Sequence, residues 1–129
     1  MPPLAAALAL LPLSAIAAPL TGVYKTESNE EGNYLEVTFG ACESNAELTC
    51  GTITAAKDGV DMVQVDYEHL GRTMIEDMER DGNAFSGGTI WAPDDDKTYT
   101  SKMELSGDIL EVEGCIFFIC CRQTWQAVN

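Results

Sequence analysis

Basic residues are scarce in this chain. Seven Lys and Arg stand against 21 Asp and Glu, a net charge of −14 over 129 residues. A surface of that sign repels phosphate backbones and anionic headgroups, so nucleic acid is not expected as a partner. The acidic excess reads first as a solvated face. Histidine is limited to His69, the one side chain whose ordinary pKa lies near neutrality. No GxSxG elbow accompanies it, and nucleophilic catalysis needs a base beside its nucleophile. The expectation is a protein that is not an enzyme, with no catalytic residue and no cofactor. CxxC spacing is also missing, which removes the usual zinc pairs and the thioredoxin-type redox site, and no metal site is expected. Asp94-Asp95-Asp96 lacks the D-x-D-x-D-G spacing and distal Glu of a calcium loop, and reads as a solvated turn. Leu4 to Leu11 is apolar throughout but short for a membrane span, and Pro12 follows it.

The first residues read as a targeting segment. Ala15-Ile16-Ala17 is an A-x-A site behind the apolar run, and cleavage after Ala17 keeps Pro19 out of the first mature position. Met1-Pro2-Pro3 departs from the usual pattern in carrying no basic residue. Residues 1–17 are therefore expected to be a signal peptide, and 18–129 a single domain. About 110 residues suffice for one modest core. No cysteine closely follows the cleavage site, so a lipid anchor is not expected, nor is a membrane span after processing. The expected location is periplasmic or secreted, where disulfides persist. Five cysteines are present, Cys42, Cys50, Cys115, Cys120 and Cys121, and an odd count leaves one thiol over.

Alternation dominates the rest. Leu35, Val37 and Phe39 share one face of a run from Tyr34 to Gly40. Cys42 and Cys50 flank a polar loop before the next strand, Gly51 to Ala55, so a bridge across that loop is expected. From Lys57 to Leu70 the pattern fails: Val60 to His69 fits a short strand, a helical turn or a loop. Arg72 to Met78 reads as extended or as one short amphipathic element. Arg80-Asp81-Gly82-Asn83 is a hairpin turn. Alternation then sets Phe85, Gly87, Thr89 and Trp91 on one face of a strand. Tyr99, Ser101, Met103 and Leu105 share a face of its neighbour. Leu110 and Val112 face inward beyond the turn at Gly107-Asp108, and the last strand runs from Cys121 to Val128. About eight short strands with turn chemistry between them indicate an all-β fold, an antiparallel up-and-down barrel.

Specific segments carry a resemblance. They are Cys50-Gly51-Thr52-Ile53, His69-Leu70-Gly71-Arg72, Gly87 to Pro93, Lys97-Thr98-Tyr99, Lys102 to Leu105, Leu110 to Cys115, and Gln123-Thr124-Trp125 with Cys120 before it. In this order the chain resembles the bacterial exported family called domain of unknown function 2147, over nearly all of the mature length. The resemblance implies a lipocalin-like (calycin) barrel and an exported location, and no activity. The family usually has Trp at the place of Tyr24 and Arg at the place of Cys121. On the resemblance, Cys120 keeps the family's distance to Trp125, so Cys115 is expected to pair with Cys120, Cys42 with Cys50, and Cys121 to stay free. A strand setting beside Phe117-Phe118-Ile119 offers Cys120 and Cys121 no thiolate stabilisation of the kind redox motifs use.

Two functions fit this reading. In one, the barrel binds a small apolar or amphipathic ligand lined by Phe85, Trp91, Tyr99, Met103 and Trp125. Gly87 and Gly88 would make room by withholding side chains. In the other, those residues fill a solid barrel, and the loops contact an envelope partner. Eight strands accommodate either interior. No motif specifies an oligomeric state.

Overall fold

Short polar turns cut the alternating runs into eight strands, and each strand pairs antiparallel with the next. A computed structural model describes residues 18–128; the leader expected at 1–17 lies outside the described residues. The strands are β1 (Gly22–Lys25), β2 (Tyr34–Ala41), β3 (Thr49–Lys57), β4 (Thr73–Asp81), β5 (Ala84–Ala92), β6 (Lys97–Ser106), β7 (Ile109–Ile116) and β8 (Ile119–Val128). β8 returns to pair with β1, with Val23 opposite Val128, and the barrel closes. The expected all-β, up-and-down barrel is the fold observed. The stretch read as Arg72 to Met78 resolves as strand from Thr73 onward, and the ambiguous segment before it is mostly loop, with one bridge between Lys57 and Val63.

The period-2 pattern explains the core. Val37 and Phe39 on β2, Met103 on β6, Leu110 and Val112 on β7 and Trp125 on β8 are all buried. Each such side chain contributes about 1.5–3 kcal/mol by leaving water. The base is sealed by aromatic rings. Tyr24 meets Phe39 edge-on at 5.6 Å between centroids, and Phe39 lies 6.2 Å from Trp125. Tyr24 thus takes a base position where the resemblance led us to expect Trp. The chain before β1 helps close this end. Leu20 is buried and its N–H donates to Thr49 Oγ1 at 3.1 Å, while Arg80 Nη1 donates to the Ala18 carbonyl at 3.0 Å.

One expected face is corrected. Phe85 lies opposite Met103 and Gly88 opposite Ser101, so three steps along β5 match two along β6. The extra residue is Gly87, whose φ of +81° suits a residue without Cβ. The bulge reverses the alternation beyond it. Trp91 therefore pairs with exposed Thr98, on the side opposite Tyr99, buried Ser101 and buried Met103. Phe85 and Trp91 do not share a face. β4 carries a matching irregularity at Asp77, with φ of +57°. Gly88 does not leave space either: a Cβ there would lie 2.1 Å from the Glu76 carbonyl oxygen and 2.6 Å from Met78 Sδ. The room that Gly88 vacates is occupied by the kinked β4.

Cys42 is bonded to Cys50 and Cys115 to Cys120, and Cys121 is free and exposed. The first bridge ties the β2–β3 hairpin at its loop; the second clamps β7 to β8 next to their turn. Among the described residues no helix is long and apolar enough to cross a membrane.

Candidate ligand site at the open end of the barrel

Because consecutive strands alternate in direction, the β1–β2, β3–β4, β5–β6 and β7–β8 connections gather at one end. β1 is only four residues long. It pairs with β8 from Gln126 to Val128 and leaves the earlier part of β8 without a neighbour on that side. The gap is bridged by a side chain: Thr124 N–H donates to Glu27 Oε2 at 2.6 Å. Behind this seam lies a cleft of about 510 Å³. Leu35, Ala56, Tyr67 and Met74 give it apolar surface, and Asn29, Lys57, Gln64 and Gln123 give it polar groups. Lys57 is partly neutralised, since its Nζ sits 3.0 Å from Glu36. Glu27, Asp58 and Asp94 also border the cleft, so its rim is acidic on balance.

The β3–β4 connection forms one wall, and a single carboxylate organises its first turn. Asp58 Oδ1 accepts from the N–H groups of Val60 and Met62 at 3.0 and 2.9 Å, the local capping that Asp offers in loops. Gln64 N–H then donates to the Ala56 carbonyl at 2.8 Å, which returns the chain to β3. Tyr34 on β2 secures the outside by donating its phenol to Asp61 Oδ1 at 2.7 Å. That hydrogen bond needs the protonated phenol and pushes the Tyr34 pKa up to about 12.

Trp91 anchors the second half of the same connection. The Arg72 guanidinium lies 3.3 Å from its ring centroid, and the His69 ring meets it edge-on at 4.9 Å. The indole N–H donates to Asp96 Oδ1 at 2.9 Å. Tyr99 donates its phenol to Asp95 Oδ2 at 2.9 Å, and this bond raises the Tyr99 pKa. Two carboxylates of the acidic run therefore hold the β5–β6 turn. His69 meets Tyr67 edge-on as well, at 5.4 Å, with Nε2 3.3 Å from Glu68.

The five expected lining residues fall elsewhere. Phe85, Met103 and Trp125 are buried in the core, and Tyr99 is half-buried beside its turn. None of these four borders the cleft, and Trp91 borders a smaller one of about 250 Å³ with Arg72 and Thr98. Sequence reasoning placed Leu35 inward but missed Gln64, Tyr67 and Gln123. Two of these lie in the stretch without periodicity, and the third is exposed to the cleft only because β1 is short. Two groupings of cysteine with a carboxylate, Cys42–Cys50 with Asp77 and Cys115–Cys120 with Glu113, have their sulfurs committed to disulfides.

A barrel with this strand order, sealed at its base and open at the other end, has counterparts among known proteins. Residues 22–127 match a family model described as an uncharacterized protein conserved in bacteria, DUF2147. The chain belongs to this family. Among solved structures, the DUF2147 chain is similar to protein HP1028 from Helicobacter pylori, described as belonging to the lipocalin family. The TM-score is 0.66 at 15% identity, over 88% of this chain and 85% of that one. At that identity the likeness concerns the fold, which is lipocalin-like. No curated protein matches the chain.

Proposed function

We propose that this DUF2147 protein binds a small amphipathic molecule in the cleft at the barrel mouth, and does so without catalysis. The observation that carries the reading is the cleft itself. About 510 Å³ lies within the range that small-molecule sites occupy. Its lining joins apolar walls to a few convergent amide and hydroxyl groups, the usual composition of such sites. The acidic rim selects against carboxylate or phosphate heads and favours an uncharged or cationic one. His69 supports a binding role: it is fixed between Tyr67 and Trp91 as a packing ring, with Glu68 as its polar contact. The two disulfides fit a compartment outside the cytoplasm, and we place the protein in the periplasm or among secreted proteins. The lipocalin-like fold is compatible with such cargo.

The alternative, an envelope interaction module, requires a solid barrel. The base is solid around Phe85, Met103 and Trp125, but the mouth is not. Native mass spectrometry of protein purified from its host tests the reading. A retained small molecule is expected, and Ala56→Phe should expel it by filling the cleft. If no mass is retained and no amphiphile in a panel raises the melting temperature, the ligand reading fails.

A further inference from the structure

The turn between β7 and β8 breaks the rules of hairpin chemistry. Two-residue turns favour Gly and Asn because their central residues reach positive φ. Here the central residues are Phe117 and Phe118, closed by the Ile116–Ile119 pair, and Phe117 is held at a φ of +55°. That conformation is strained for a side chain with a Cβ. Nothing is gained in packing: Phe117 and Phe118 are exposed at 94% and 100%, and Ile119 at 76%. The Cys115–Cys120 disulfide clamps the hairpin one pair below the turn. A strained turn that is stapled in place and displays two phenyl rings to solvent is a surface built for apolar contact.

We propose that this finger docks the open end of the barrel onto a zwitterionic lipid surface. Three observations select lipid. The finger carries no charge from Gly114 to Cys121, and the first charges below it, Glu113 and Arg122, neutralise each other as an ion pair. From that pair to Phe117 is four residues, or about 13 Å of strand. This length carries both rings past the headgroups, to the depth at which interfacial segments bury apolar side chains, and leaves the ion pair in water. The Ile and Phe side chains at the tip are all exposed, which suits a medium that surrounds a projection better than a partner that covers one face. Val60 and Val65 on the β3–β4 connection, exposed at 76% and 82%, add apolar surface at the same end. The charge of −14 selects the lipid, because it opposes approach to an anionic leaflet and is indifferent to a zwitterionic one. The same charge opposes a second copy of the chain.

The native thiol of Cys121 lies at the foot of the finger and gives a local probe. The full chain, labelled there with an environment-sensitive fluorophore, is mixed with phosphatidylcholine vesicles. The expected result is a blue-shifted emission that spin-labelled lipid quenches, weaker when phosphatidylglycerol is added. Phe117→Gly with Phe118→Asn should weaken partitioning about tenfold or more. This variant improves the turn chemistry, so its melting temperature should not fall. An unshifted probe on phosphatidylcholine overturns the proposal, as does equal partitioning of the double variant or tighter binding to the anionic vesicles. Light scattering that shows a dimer for the native chain and a monomer for the variant assigns the finger to a second copy instead. No cargo is needed in this experiment, so its outcome is independent of the ligand reading.

Discussion

Gly88→Ala is the sharpest test of how the barrel wall is built. The added Cβ would fall 2.1 Å from the Glu76 carbonyl oxygen, 2.6 Å from Met78 Sδ and 2.9 Å from the Asp77 carbonyl carbon. A carbon needs about 3.3 Å from a carbonyl oxygen even in a close contact. The methionine can turn aside, but the Glu76 oxygen belongs to backbone fixed between β3 and β5. β4 would have to retreat by roughly 1 Å where its kink fits against the β5 bulge. Overpacking that displaces backbone costs about 1–3 kcal/mol, and the fixed partner puts this case near 3. For a domain of this size that is a fall of roughly 12 °C in Tm. Gly87→Ala supplies the control, since its Cβ would meet nothing within 4 Å and only the φ of +81° opposes it. Its cost should be about 1–2 kcal/mol. Urea unfolding of both variants, with calorimetry as a second measure, ranks them. If Gly87→Ala were the more damaging, or if Gly88→Ala were neutral, the nesting of the two irregularities would be wrong.

Two further outcomes follow from the same geometry. Cys42→Ser with Cys50→Ser should lower stability by about 2–3 kcal/mol in the chain-entropy model, and non-reducing peptide maps of the native protein should show Cys42–Cys50 and Cys115–Cys120 with Cys121 alkylatable; a Cys121 disulfide in the monomer contradicts the structure. Tyr34 should ionise late, near its folded pKa of about 12 against 10.0 when unfolded. The raised folded value means that the protonated phenol stabilises the fold below pH 10, and that this contribution is lost as pH rises through about 12. A phenolate absorbance difference between the native protein and Tyr34→Phe that is already complete well below pH 12, as an ordinary tyrosine titrating near 10.0 would give, counts against the Asp61 bond.

The barrel was legible where strands obey period 2 without interruption. Leu35, Val37 and Phe39, then Leu110 and Val112, pointed inward in the pattern and do so in the fold. Trp91 was not legible, because a single inserted residue at Gly87 inverts every side chain after it, and Gly-Gly in a strand marks a bulge as readily as a cavity. The β3–β4 connection was opaque for a different reason. Its conformation is set by Asp58 capping two N–H groups and by His69 and Arg72 packed against Trp91, interactions that leave no periodicity. The cleft was hidden by a length: nothing in Gly22 to Lys25 announces that β1 stops short of β8. Phe117 and Phe118 stood in plain view, but their exposure is a tertiary property: β6 pairs with β7 only as far as Cys115, and among the described residues no other element covers the turn.

The two ends of the molecule follow different rules, and the difference argues for where function lies. At the base, local preference and tertiary packing agree. Tyr24, Phe39 and Trp125 pack together, Leu20 and Arg80 hold the incoming chain, and Thr49 turns its hydroxyl to a backbone donor. At the mouth they conflict. A short strand leaves a seam closed by one carboxylate, Phe occupies a position suited to Gly, and valines face water on the β3–β4 connection. Each of these features lowers the stability of an isolated barrel. Natural sequences are locally consistent except where a site requires otherwise. These three departures share the end at which the cleft opens. An amphiphile leaving a lipid surface would meet the finger first, then the seam between β1 and β8, then the walls formed by Leu35, Ala56 and Met74. On this route the acidic loops would remain in water throughout, so the charged surface need not be crossed.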